Sequence, residues 1–346
     1  MTGRGPPSPV ALERVFPALA PVEQVAALAG DGSPRRFYRV SGPGGSWVLM
    51  EGEDPLENAA YVRLARHLAG RGVRVPRIRG EDTGRGWVLM EDLGDRSLYA
   101  VIRELRASGR EASQVTERLY GPVLRLLARF QVLGVRGYRP ELGFVQEPYG
   151  PRVMVYEEGL YFAREFLGGV LGTEPLPGYP RDLERLAAVG ASAPARWLLH
   201  RDFQSRNVLL TPGEPAVIDF QSARLGPLAY DAAALILDPY AALPPGVRVR
   251  LRRRYEGELS ALGVEDGVTS DAWFALGTFR LLQALGAFGK LGGRLRKPGF
   301  LEHAATALEH LIDHLGERGR REFPALWATV KRAAGAWAAR RRGRLR

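Results

Sequence analysis

One stretch constrains this chain more than any other: the run from 197 to 221, Trp-Leu-Leu, HRDFQSRN (200–207), Val208–Leu210, the turn TPGEP, then Ala216–Ile218 leading into Asp219-Phe220-Gln221. Three short apolar runs, separated by a polar loop and a Gly/Pro turn, read as strands. A loop held between two such strands presents Asp202 and, five residues on, Asn207 to one cavity, and the third strand delivers Asp219 to the same place. Carboxylate and amide oxygens are the hard donors that Mg²⁺ takes, and Mg²⁺ keeps several waters, so two or three side chains suffice. Whatever surrounds this stretch must therefore be built around a cleft.

The order and spacing are those of the kinase catalytic loop, H-R-D-x-x-x-x-N, followed by a D-F-x metal motif. Asp219 stands seventeen residues after Asp202, enough for a loop, a strand, a turn and a second strand. The pattern predicts phosphoryl transfer from ATP, with Asp202 orienting the acceptor hydroxyl and Asn207 and Asp219 binding Mg²⁺. His200 is a candidate acid or base, although its place at the loop entry favours a hydrogen-bonded scaffold role. Arg206 is the candidate for stabilising phosphate charge; loop arginines more often pair with carboxylates.

Upstream, FYRVSGPGGSWVLM reads as two strands, Phe37–Val40 and Trp47–Met50, around a Gly/Pro turn. A helix follows in DPLENAAYVRLARHLAGRG, with Asp54 as N-cap, Pro55 at the first position, Glu57 placed for a capping box, and Leu64 and Leu68 on its apolar face. WVLMEDLGD contributes a buried strand at 87–90. Beyond Asp95 the periodicity turns helical, at about 95–107, 114–134, 152–171, 228–237, 247–262, 271–291, 299–315 and 322–341. Residues 1–20, rich in Pro and Gly, are expected to be loosely ordered at the start. The expected class is α+β: a bilobal, protein-kinase-like fold with a small mixed N-lobe (β-sheet plus one helix) at 1–92 and a large, mainly helical C-lobe at 93–346.

Composition excludes several alternatives. The chain of 346 residues has no cysteine, so disulfides and thiolate metal sites are ruled out. No run of about 18 apolar residues and no secretory signal pattern occurs, which points to a soluble, cytoplasmic protein that neither spans a membrane nor is exported. The net charge of +11 is concentrated in RVRLRRR at 248–254 and in the tail, Arg340, Arg341, Arg342, Arg344 and Arg346. Such blocks are usually solvated helix faces and tails, so the charge is not read as a nucleic-acid surface. A monomer is expected.

At these motifs the chain resembles the aminoglycoside/choline phosphotransferase family, and within it the anomeric sugar kinases that phosphorylate N-acetylmuramate and N-acetylglucosamine in cell-wall recycling. SPRRFYRV (33–40), PLEN (55–58), VRVPRI (73–78), WVLMEDLGDRSL (87–98), HRDFQSRNVLL, VIDFQSARLGPLAYD (217–231) and LILDPY (235–240) carry the likeness, over about residues 30–310. The resemblance implies that Asp202 is the catalytic base and that Asn207 and Asp219 are metal ligands. It further implies that Met90, Glu91 and Leu93 form the hinge for adenine, that Asp231 braces the catalytic loop, and that Asp238 lies near the sugar pocket. One departure stands out: Met50 occupies the strand position where a protein kinase has its phosphate-binding lysine. Arg35, Arg36 or Arg39 is expected to contact the phosphates instead, because a guanidinium makes bidentate contacts to phosphate.

For the acceptor, Glu157 and Glu158 are candidates to receive sugar hydroxyls or an aminoglycoside's ammonium groups, with helix-dipole stabilisation as the equally simple alternative. Lys290, Arg294 and Lys297 form a basic stretch that suits a carboxylate-bearing sugar better than a polycation. Two other readings stay open at this level: another small-molecule kinase of the same fold (aminoglycoside, choline, homoserine or thiosugar), and a non-catalytic basic binding protein.

Overall fold

The computed structural model describes residues 5–28, 35–109, 113–265 and 267–343. Five strands, β1 (Gln24–Leu28), β2 (Arg36–Gly42), β3 (Gly45–Glu51), β4 (Ile78–Asp82) and β5 (Trp87–Glu91), form one antiparallel sheet in the order β1-β2-β3-β5-β4. Alternation along each strand sorts the side chains onto two faces. Tyr38, Val40, Leu49, Trp87 and Leu89 face outward and pack with Leu12, Phe16 and Leu19. Phe37, Met50, Val88 and Met90 face inward and join the main core.

The outward face corrects the expectation of a loosely ordered start. Ser8 accepts from the Ala11 N–H, Pro9 sits in the first turn, and helix α1 (Pro9–Val15) lays Leu12 against the sheet, followed by Phe16 and a short 3₁₀ turn at Pro17–Leu19. Residues 1–4 lie outside the described residues. The inward face is covered by α2 (Pro55–Gly70). Asp54 caps it, accepting from the Leu56 and Glu57 N–H groups at 2.8 and 3.2 Å. Glu57 does not close the expected capping box. Its carboxylate turns toward Arg35, 3.7 Å away. Tyr61 on α2 stacks on Phe220 with ring centroids 4.7 Å apart, tying the sheet to the helical part of the chain.

The remainder is mainly helical: α3 (Leu98–Ala107), α4 (Ser113–Val132), α5 (Leu160–Phe162) between π-helical turns at Val153–Gly159 and Ala163–Leu171, and α6 (Tyr179–Ala191). There follow α7 (Ala229–Ile236), α8 (Pro245–Ser260), α9 (Ser270–Phe288), which continues into a π-helical turn at Gly289–Arg294, α10 (Ala304–Glu322) and α11 (Pro324–Gly343). Between α6 and α7 lie two small antiparallel pairs, β6 (Trp197–Leu199) with β9 (Arg224–Gly226), and β7 (Val208–Leu209) with β8 (Ala216–Val217). The architecture is α+β and bilobal. Among the described residues, no helix is long and apolar enough to cross a membrane.

Candidate active site

The sheet and the β7–β8 pair face each other across a cleft of about 580 Å³. Val48, Met90 and Leu93 line it from the sheet side, Leu209 and Ile218 from the opposite side, and Asn207 and Asp219 also face into it. Apolar side chains on two opposed walls with polar groups converging at one end suit a ligand with a flat ring and a charged tail.

The loop between β6 and β7 is held by buried groups. Asp231, fully buried on α7, accepts from the backbone N–H groups of His200 and Arg201 at 2.7 and 3.0 Å. His200, also fully buried, accepts from the Asp202 N–H at Nδ1 (3.2 Å), and its Nε2 lies 2.9 Å from the Ile218 carbonyl, to which it must donate. Those two bonds fix the neutral tautomer and use both ring nitrogens. His200 is thus a scaffold residue, not an acid or base. Asn207 donates from Nδ2 to the Asp202 carbonyl at 2.9 Å, which leaves its side-chain oxygen available.

Asp219 follows β8 in the left-handed backbone region (φ 65°), and this bend turns its carboxylate into the cleft. Two donors hold one oxygen, Oδ1: Arg35 Nη2 at 3.2 Å and Gln221 Nε2 at 2.9 Å. Arg35 also lies beside Met50, its Nη1 3.6 Å from the sulfur, and ion-pairs with Glu57 on α2. A guanidinium from the start of β2 therefore occupies the surroundings of the residue that replaces the lysine. The other two candidate arginines are held by other carboxylates, although Arg39 also lines the cleft. Arg36 pairs with Glu51 at 3.0 Å, and Arg39 spans Asp92 and Asp95 at 2.7 Å each. Ser33 and Pro34 of the same motif lie outside the described residues.

At the expected hinge, Glu91 makes two 2.7 Å bonds to Arg74, and this pairing holds its carboxyl below the usual range. Its side chain is used to fix the segment, while Met90 and Leu93 line the cleft.

Several candidates sit differently from expectation. Arg206 lines the cleft, but its guanidinium rests in an aromatic box, 4.8 Å from the Tyr240 ring, 5.5 Å from Tyr99 and 5.7 Å from Phe300. Asp238 is buried and accepts from the Ser205 N–H at 2.9 Å, the Ser205 hydroxyl at 2.5 Å and the Tyr240 N–H at 2.9 Å. It braces the catalytic loop, not a sugar. Glu158 is fully buried. Its carboxylate receives Arg201 (2.7 Å), Tyr149 (2.7 Å) and Tyr230 (2.6 Å), and its complete burial keeps an acceptor from reaching it. Glu157 pairs with the exposed Arg152 at 2.8 Å. Of the basic stretch, Arg294 pairs with the buried Glu165 at 3.1 Å, while Lys290 lies in the π-helical turn and Lys297 just beyond it.

Two functional groupings were missed from the sequence. One is the Glu158–Arg201 pair, whose partners are 43 positions apart. The other is Arg280 on α9, whose Nη2 lies 3.1 Å from Asp202 Oδ1. A signal existed for the second: Arg280 is the lone charge between Asp271 and Lys290 in an apolar helix.

Among the described residues no group of three or more His, Cys, Asp or Glu clusters as a metal site. The donor set at the cleft nevertheless fits Mg²⁺. Asp219 Oδ2 has no partner among the described residues, the Asn207 oxygen is available, and Mg²⁺ completes its shell with water and phosphate.

Comparison with known proteins agrees with this geometry. The phosphotransferase enzyme family (APH) matches residues 24–265. An N-acetylmuramate/N-acetylglucosamine kinase of Pseudomonas aeruginosa is 32% identical over 306 residues, covering 86% of this chain and 85% of the relative. A protein of the same name from Neisseria meningitidis is 28% identical over 293 residues, covering 82% and 83%. Among solved structures, an aminoglycoside phosphotransferase APH(4)-Ia variant superposes with a TM-score of 0.59 at 19% identity, covering 91% of this chain and 100% of that one. Choline kinase LicA from Streptococcus pneumoniae superposes with a TM-score of 0.56 at 12% identity, covering 87% and 98%. At these identities the structural likeness speaks for the fold.

Proposed function

The chain belongs to the phosphotransferase enzyme family and is a small-molecule kinase, and from that premise we propose that it transfers the γ-phosphoryl group of ATP to the anomeric hydroxyl of N-acetylmuramate or N-acetylglucosamine, in the cytoplasm and as a monomer. The observation that carries the acceptor is the 32% identity, across 86% of the chain, to a kinase named for those two sugars. Charge supports it: a guanidinium stands 3.1 Å from Asp202, where a polycationic acceptor would call for additional acids.

In this reading residues 1–92 form the nucleotide-binding lobe and 93–346 the lobe carrying the catalytic loop and the acceptor pocket. Adenine lies between Val48 and Leu209, with backbone bonds from the Met90–Leu93 hinge. Arg35, not Arg36 or Arg39, reaches the phosphates, because it is the one of the three beside Asp219. Asn207 and Asp219 hold Mg²⁺, which when bound neutralises charge on the transferring phosphoryl group. Asp202 accepts the hydroxyl proton with the oxygen that has no partner among the described residues, and Asp231, His200 and Asp238 keep the loop from shifting. Positioning matters here because the transition state is stabilised by alignment and charge more than by covalent chemistry.

Reaction with ATP, Mg²⁺ and, separately, N-acetylmuramate, N-acetylglucosamine, an aminoglycoside and choline tests the proposal. Phosphorus and proton NMR should show a phosphate coupled to the anomeric proton of the hexosamine product. Absence of product from both hexosamines overturns it.

A further inference from the structure

Arg280 is 5% exposed and is carried by α9, whose neighbouring positions are almost all apolar. Removing a guanidinium from water costs several kcal/mol unless partners compensate. Its partners among the described residues are few: Asp202 Oδ1 at 3.1 Å and Gln204 Oε1 at 3.4 Å, both from Nη2, and Gln283 Oε1 from Nη1. Two of the three belong to the catalytic loop. The ionic partner is the carboxylate expected to work, and that carboxylate is itself 44% exposed. A pair kept only for stability would gain more from a buried acid, and buried acids stand close by: Asp238 and Glu158 both lie within electrostatic reach of Arg280. The guanidinium is aimed at the loop instead.

A carboxylate on a freely rotating Cβ–Cγ bond interchanges its two oxygens. With Oδ1 tethered, Oδ2 faces one direction and has no partner among the described residues. The same arrangement recurs at Asp219, where Arg35 and Gln221 hold Oδ1. Asp202 and Asp219 thus each have one arginine-held oxygen and one without a partner among the described residues. At Asp202 the holding arginine comes from outside the motif, on a helix that packs against the π-helical segments on the acceptor side.

We propose that Arg280 is a positioning residue for phosphoryl transfer: by holding Oδ1 of Asp202 and the side chain of Gln204, it aims Oδ2 at the acceptor hydroxyl. This rests on Asp202 being the base. The role predicts an effect on turnover without an equal effect on binding, since orientation of the base matters in the transition state. Steady-state kinetics of Arg280→Gln should show kcat lower on the order of 10–100-fold, with KM for ATP and for N-acetylmuramate changed less than about threefold. Arg280→Lys retains the charge but is shorter and lacks the second nitrogen that bonds Gln283, so it holds Asp202 less firmly and should recover part of the loss. In an Asp202→Asn background, Arg280→Gln should have little further effect. A kcat for Arg280→Gln within about twofold of wild type overturns the proposal, as does an additive loss in the double variant. If Arg280→Gln does not fold, Arg280→Lys carries the test: an intermediate kcat supports the role, and a wild-type kcat overturns it. If Asp202→Asn itself keeps substantial turnover, the assignment of the base has failed, a result distinct from a harmless Arg280→Gln.

Discussion

Arg35 Nη2 lies 3.2 Å from Asp219 Oδ1, joining the first residue before β2 to a carboxylate 184 positions later. The same guanidinium touches Glu57 on α2 and the sulfur of Met50. One cation thereby links the sheet, its covering helix and the expected metal ligand, the connections that a strand lysine and a helix glutamate make in protein kinases. Arg35→Ala should raise KM for ATP on the order of 10–100-fold, as expected for loss of a charge-assisted contact of about 1.5–3 kcal/mol. Arg36→Ala and Arg39→Ala should leave KM for ATP within about threefold, because their guanidinium groups are spent on Glu51 and on Asp92 and Asp95. ATP titrations of the three variants decide this, and three equal KM values would sink it.

Asp202→Asn should still fold, since its side chain is nearly half exposed and the amide oxygen can still accept from Arg280, and should lose turnover on the order of 10²–10⁴-fold, the usual contribution of a positioned base. Single-turnover phosphate transfer, compared with thermal unfolding of the same sample, separates a catalytic loss from a structural one.

The two adjacent glutamates should behave oppositely. Glu158→Ala strands Arg201 among the Tyr149 and Tyr230 rings, 4.8 and 4.6 Å away, and leaves an uncompensated buried charge. Breaking such a pair costs about 3–5 kcal/mol. Arg201 also holds a left-handed backbone (φ 79°) at the head of the catalytic loop, so activity should fall with stability. Glu157→Ala, which removes only an exposed pair with Arg152, should be nearly silent in both. Thermal midpoints of the two variants side by side make the comparison.

The catalytic segment was legible because its information is local. Three apolar runs, a turn and an H-R-D-x-x-x-x-N loop specify where Asp202, Asn207 and Asp219 sit without reference to the rest of the chain. The N-cap of α2 was legible for the same reason. Residues whose roles depend on distant partners were not. Glu158 reads as a first-turn helix acid, and only the fold sets Arg201 and two tyrosines around it. Asp238, which the family resemblance put near the sugar pocket, instead accepts twice from Ser205. The edge strands β1 and β4 also escaped. QVAAL is apolar but alanine-rich, with poor strand propensity and no fully buried residue, and IRGED is mostly polar, so neither shows the buried, β-prone run that marked β5. Helix α1 hid behind prolines that the structure uses as starters.

Acid stability offers a last test that depends on the helical lobe alone. His310 on α10 is 5% exposed with Nδ1 2.9 Å from the Leu237 carbonyl, and His314 has Nε2 3.0 Å from the Phe274 carbonyl. Each ring must donate through that nitrogen. Burial pushes both imidazoles down to about 4, with the nearby Arg248 adding to the effect. A group whose folded-state pKa is depressed below its unfolded value near 6.5 favours folding above that pH and ceases to do so as pH falls toward the folded value. Between about pH 6.5 and 4 the unfolded chain binds up to one more proton at each site, so stability should fall by about 1.4 kcal/mol per pH unit per histidine. Denaturant unfolding at pH 7.5, 6 and 5 should show this slope, and His310→Gln should remove about half of it. A wild-type stability that is flat from pH 7 to 5 would mean that these rings already accept a proton in the folded state.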